Sequence, residues 1–249
     1  MEALEEGFAF DELNETPATT VQQALAAMKG GFLPLGTIFL DEIAEEDLTA
    51  LLPQDVKDLS CSGGKITKIH PSLLRLPQLS TLSLCNSLIN TLPVPPTLPS
   101  SPLTQLTTLY LYNNLLTSIS PEFCMALPNL IRLNLSYNTI RSIPPEIRYL
   151  RNLQFFWISG NQLTDLPPEL SDLTHLKMLA VDGNLIERLP FCLNSTSWPS
   201  LTSFIVNSPD LLIDAFEFGV WSRYSRIYVF EPKSLLDICL QAILRHVHE

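Results

Sequence analysis

Leu130-Ile-Arg132-Leu133-Asn134-Leu135-Ser136-Tyr137-Asn138-Thr139-Ile140-Arg-Ser-Ile143-Pro144 carries the spacing that sets the architecture of this chain. Apolar residues fill its first, fourth, sixth, eleventh and fourteenth positions, and the same spacing starts again at Val56, Leu79, Leu106, Leu153, Leu176 and Leu201. Across the seven copies 34 of those 35 slots are apolar, Asp214 being the exception, in a chain that is only 46% hydrophobic. The copies recur every 23 to 27 residues. Self-similarity at such a period predicts a solenoid, in which each unit stacks only on its neighbours.

Within each copy the fourth and sixth positions alternate with polar or aromatic residues, as in Leu133-Asn134-Leu135-Ser136. Period-two alternation predicts a short half-buried strand. Seven stacked strands make a curved parallel sheet, leucines inward and positions three, five and seven outward on the hollow side. The ninth position holds Asn114, Asn138, Asn161 and Asn184 in the central copies, with Gly64, Ser87 and Pro209 nearer the ends. A buried amide carries donors and an acceptor, so it can bond the backbone of adjacent turns.

These residues resemble the leucine-rich repeat family over roughly residues 56–214. Leu92-Pro93, Ile143-Pro144, Leu166-Pro167 and Leu189-Pro190, with the Pro-Pro-Glu of 144–146 and 167–169, look like the intracellular 23-residue subtype of Ras-pathway and polarity scaffolds. The resemblance implies an α/β solenoid, a horseshoe of about seven repeats with its parallel sheet on the concave face.

A solenoid must cover its two end faces. Thr16-Pro17 to Lys29, closed by Gly30-Gly31, and a segment from Asp41 to before Pro53 read as helices of an N-terminal cap over 16–55, after an acidic tail at 1–15. Five prolines stretch the second copy between Pro93 and Pro102; the insertion at 93–105 reads as a bulging loop, or as a ligand for an SH3-type domain. After Asp214 come Phe216, Phe218, Trp221, Tyr224, Tyr228 and Phe230, then an apolar helix from Pro232 to about His246; residues 215–249 are expected to cap the last repeat.

The net charge of −11 is concentrated. Residues 1–55 hold twelve acidic side chains against Lys29, while 56–249 hold fourteen of each sign. The acidic segment reads as a soluble cap or as an electrostatic docking arm. Nothing forms a basic footprint, so neither nucleic acid nor a membrane surface is an expected partner. The start, Met1-Glu-Ala-Leu-Glu-Glu, is acidic where a secretory peptide would be basic and then apolar. Cys61, Cys85, Cys124, Cys192 and Cys239 are scattered and odd in number, which points to a reduced cytoplasmic or nuclear setting. His70, His175, His246 and His248 make no metal pair, and no phosphate-binding or nucleophile motif is present. The expectation is a monomeric protein that is not an enzyme and uses no cofactor or metal.

Outward positions near the centre of the array collect Tyr110, Tyr112, Arg132, Asn134, Phe155, Trp157, Met178 and Asp182. Tyr, Trp and Arg dominate interface energetics, so these residues form the candidate partner-binding face; the alternative is aromatics that merely shield one another. A second candidate is the last helix, where Leu235, Cys239 and Ile243 fall on one stripe. This helix resembles the elongin-binding box of cullin-type ubiquitin-ligase receptors. The resemblance implies Leu235 as anchor, Cys239 as the close-contact residue and Ile243 as the flanking apolar group; without it, the helix is only a cap. The sequence thus reads as a non-enzymatic protein-interaction adaptor. Its rivals are a ubiquitin-ligase substrate receptor, and a regulatory subunit for a phosphatase or small GTPase.

Overall fold

The computed structural model describes residues 56–60, 66–69, 73–74, 76–92, 105–187, 190, 198–206 and 226–228. The expected N-terminal cap, the proline-rich segment at 93–104 and the last helix with Leu235, Cys239 and Ile243 lie outside them. What is described is one parallel sheet, its strands in sequence order and each three residues long. The strands are β1 (Asp58–Ser60), β2 (Thr81–Ser83), β3 (Thr108–Tyr110), β4 (Arg132–Asn134), β5 (Phe155–Trp157), β6 (Met178–Ala180), β7 (Ser203–Ile205) and β8 (Arg226–Tyr228). Seven of them are the strands that the leucine spacing predicts. The eighth comes from the aromatic segment, which the sequence reading places after the repeats.

Register is in step throughout: position three pairs with three, four with four and five with five, as in Arg132↔Phe155, Leu133↔Phe156 and Asn134↔Trp157. The ladder continues beyond the strands. Leu135 N–H donates to Trp157 O at 2.8 Å, and Tyr137 N–H to Ser159 O at 2.8 Å. Equal register over successive strands follows from the core spacing, because a one-residue slip would turn every leucine outward.

All 31 described core slots are buried, the remaining four (Cys61, Leu189, Leu211, Asp214) lying outside the described residues. A second apolar row completes the core from the opposite side. Leu73, Phe123, Ile147 and Leu170 form one line of it; Leu76, Leu127, Leu150, Leu173 and Trp198 form the other, each three residues before the next copy begins. Each of this second line also turns the chain inward, its carbonyl accepting from the first N–H of the following copy, as in Leu153 N–H to Leu150 O at 2.9 Å.

The opposite side is built from short helical turns. Helix α1 (Pro121–Ala126) starts at Ser120, whose hydroxyl accepts from Phe123 N–H at 3.3 Å, with Pro121 where no amide donor is needed. The Pro-Pro-Glu copies give 3-10 turns instead, Pro145–Tyr149 and Pro168–Asp172. The first proline of each pair is extended and cannot enter the turn; the second sits at its start. Arg148 bridges these turns, 2.8 Å from Glu169 and 3.6 Å from Asp172. Such exposed pairs contribute less than about 1 kcal/mol.

The asparagine ladder fixes the turn after each strand. Asn138 donates to Leu111 O (3.1 Å) and Leu135 O (2.9 Å) and accepts from Leu116 N–H (2.9 Å). Asn114, Asn161 and Asn184 repeat the scheme, each in its own copy. One side chain therefore ties its own turn to that of the preceding copy. Ser87 is too short for this and reaches only Cys85 O, at 3.3 Å.

Candidate functional site

The sheet presents positions three and five of every strand on the side away from the core, and the register lines them into two rows across β3 to β6. One row runs Thr108, Arg132, Phe155, Met178; the other runs Tyr110, Asn134, Trp157, Ala180. Neighbouring members stand about 4.8 Å apart, so side chains of adjacent copies touch.

Phe156 points into the core and is fully buried, which turns Phe155 and Trp157 to the outer face, where both stay half-exposed. Their rings stack, centroids 5.7 Å apart and planes 12° from parallel. Arg132 lies over the Phe155 ring, its guanidinium carbon 5.2 Å from the ring centre. An exposed cation–π contact of this kind contributes about 0.5–1 kcal/mol, enough to favour one direction for the guanidinium. Phe155 thus joins Arg132 and Trp157 in one cluster drawn from two copies.

Tyr110 borders the stack. Burial pushes its phenol up from the ordinary range, and the Arg132 guanidinium on the neighbouring strand acts to lower it. Tyr112 accepts from Asn86 Nδ2 at 3.0 Å, and Asn113 Nδ2 donates to Asn86 Oδ1 at 2.8 Å, so a polar seam flanks the aromatics. Asn134 folds its oxygen back onto Ser136 N–H at 3.0 Å. Asp182, on the far side of the stack, accepts from the Ser159 hydroxyl.

The structure therefore brings Tyr110, Arg132, Asn134, Phe155, Trp157 and Met178 onto one surface, with Tyr112 and Asp182 just beyond the strand ends. It differs from the sequence expectation for the small side chains of the same positions. Cys85, Thr108, Ser136, Ser159, Ala180 and Ser203 are buried, because tall neighbours close over short ones in a sheet with this spacing. The accessible face is consequently dominated by its large residues.

Sequence reasoning missed Tyr137. It occupies the eighth position, where the backbone turns left-handed in each of five copies: Asn86, Asn113 and Tyr137 at φ 55°, Gly160 and Gly183 at φ 64°. Asn and Gly tolerate that conformation, whereas a bulky aromatic is strained there. Tyr137 is also 63% exposed, more than any other large hydrophobic side chain among the described residues. The recurring Asn or Gly at this slot was the available signal, since it marks Tyr137 as the residue out of place.

Among the described residues no group of three or more His, Cys, Asp and Glu could hold a metal ion, and no helix is long and apolar enough to cross a membrane.

Residues 104–163 match the family model for the leucine rich repeat, and residues 151–208 match the model for leucine rich repeats in two copies. Among curated proteins nothing matches the sequence. Similar solved structures include a Leptospira interrogans LRR protein, 29% identical with a TM-score of 0.53 over 64% of this chain and 39% of that one. An internalin of Listeria monocytogenes is 21% identical, with a TM-score of 0.57 over 75% of this chain and 50% of that one. This chain thus spans half or less of each. Residues 104–208 are thus leucine-rich repeats, which generally mediate protein–protein interaction in the proteins that carry them, and the solved structures share the fold.

Proposed function

We propose that this protein is a non-enzymatic adaptor that grips a protein partner on its sheet face, the concave side of a horseshoe. The observation that carries the reading is the cluster of Arg132, Phe155 and Trp157, its rings half-exposed at the centre of the sheet. Indole and phenyl rings left partly in water contribute most when a partner covers them, and Trp, Tyr and Arg are the side chains that carry interface energy. Tyr110, Tyr112, Asn134, Met178 and Asp182 supply the surround, and Tyr137 extends it. Buried free thiols at Cys85 and Cys124 are compatible with a cytoplasmic or nuclear, monomeric protein.

A photo-crosslinking amino acid placed at Met178 tests this against the same probe at Tyr149 on the opposite side. The reading expects a discrete protein adduct from position 178 and none from position 149. Adducts from position 149 alone would place the interface on the helical side.

The finer alternatives rest on sequence spacing. A ubiquitin-ligase receptor would use Leu235, Cys239 and Ile243 to hold elongin, and co-purification with elongins B and C that is lost in Leu235→Ala would establish it. Service to a phosphatase or small GTPase rests on the Pro-Pro-Glu copies and their likeness to Ras-pathway scaffolds.

A further inference from the structure

Arg132 is a cation in the middle of the sheet face. Among the described residues no carboxylate pairs with it; its guanidinium lies over the Phe155 ring, 5.2 Å from the ring centre. The two carboxylates on outward positions of the described sheet are Asp58, on β1, and Asp182, which already accepts from Ser159. Between them, from β2 to β6, the outward positions carry no negative charge. Beside Arg132 the Tyr110 hydroxyl has no hydrogen-bond partner among the described residues, yet it sits within the field of the guanidinium. A fork of N–H donors placed over a phenyl ring, with a phenol on the neighbouring strand, makes a carboxylate receptor, and the half-exposed Trp157 lies one stacked ring away.

Resting on the reading of the sheet face as the protein-binding surface, we infer that the partner docks a segment carrying an Asp or Glu side chain on Arg132 and Tyr110, with an apolar or aromatic residue beside it covering Trp157. The carboxylate supplies the charge that this stretch of sheet lacks, and a guanidinium can receive it in bidentate fashion. Specificity follows from the same geometry. A neutral amide in place of the acid would leave the guanidinium covered and unpaired, while a basic residue would be repelled.

The test is a phage-displayed library of random twelve-residue peptides, selected on the full chain and in parallel on Trp157→Ala, Arg132→Gln and Arg132→Lys. Arg132 is exposed, and a thermal melt verifies that each variant stays folded. The expected result is a set of Trp157-dependent peptides sharing an Asp or Glu next to an apolar residue. Their affinity falls about tenfold or more with Arg132→Gln, less with Arg132→Lys, and by a similar factor when the peptide acid becomes its amide, the two changes together costing little more than either alone. Trp157-dependent peptides that lack an acid and bind Arg132→Gln equally well would overturn the carboxylate assignment and leave the sheet-face reading standing. Peptides that gain at least tenfold only when their acid is replaced by phosphoserine would overturn it in favour of a phosphorylated partner. Binders indifferent to Trp157→Ala, or no binders at all, would overturn both.

Discussion

The Tyr137 ring lies across Gly160 of the next copy, so close that a Cβ on that glycine would stand 2.8 Å from Tyr137 Cδ1, and both residues hold a left-handed backbone. One is strained and the other makes room. Tyr137→Asn should therefore raise stability by about 0.5–1 kcal/mol, matching Asn86 and Asn113 at the same slot, because Asn enters the left-handed region at less cost. Chemical denaturation checks it. A loss of similar size would mean that the ring's contact with Gly160 outweighs the strain.

Gly160→Ala should destabilise by about 1–2 kcal/mol, part from its φ of +64° and part from the ring above. In a Tyr137→Asn background the second part disappears. A double-mutant cycle read by denaturant midpoints should show that coupling, whereas strict additivity would mean that the ring moves aside freely.

Asn138→Ala should cost about 3 kcal/mol or more, since the Leu111 and Leu135 carbonyls and the Leu116 N–H lose their shared partner away from water. Ser87→Ala, at the equivalent slot, removes only the 3.3 Å contact to Cys85 O and should cost about 1 kcal/mol. Equal losses in urea unfolding would contradict the role given to the ladder.

Burial, with Glu146 adding to it, pushes the Cys124 thiol up to about 12 from an ordinary 9.0. An unfolded thiol ionises above that ordinary value while the folded one keeps its proton. This contribution to stability is therefore intact below pH 9.0 and is lost as pH rises through the window towards about 12. Wild-type stability should fall more steeply between those values than that of Cys124→Ala. Parallel slopes would show that the thiol is not shielded.

The first fourteen residues of each copy were legible because an apolar side chain at five fixed offsets admits one packing. Alternation also places Phe156 inward and Trp157 outward, as the burial of Phe156 bears out. The second half of each copy was harder to read. Its inward residues range from Leu73 to Phe123 and Trp198, and unequal copy lengths blur their offsets. Trp198 shows the consequence: it fills the slot of Leu150 and Leu173, and its Nε1 donates to Leu170 O at 2.7 Å. Strand β8 escaped because the preceding copy ends on Asp214 at a core slot and aromatics replace leucine beyond it. On the candidate face, alternation predicted direction but not coverage, so the burial of Thr108 and Ser203 beneath larger neighbours could not be read from spacing alone.

On the proposed reading, the partner covers Arg132, Phe155 and Trp157. The most direct measurement is the dissociation constant of the cross-linked partner, once identified, for wild type, Trp157→Ala and Arg148→Ala. Loss of the indole should weaken binding roughly thirtyfold, about 2 kcal/mol, with the chain still folded, while removal of Arg148 on the other side should leave it unchanged. An undiminished affinity for Trp157→Ala, or a comparable loss with Arg148→Ala, would contradict it.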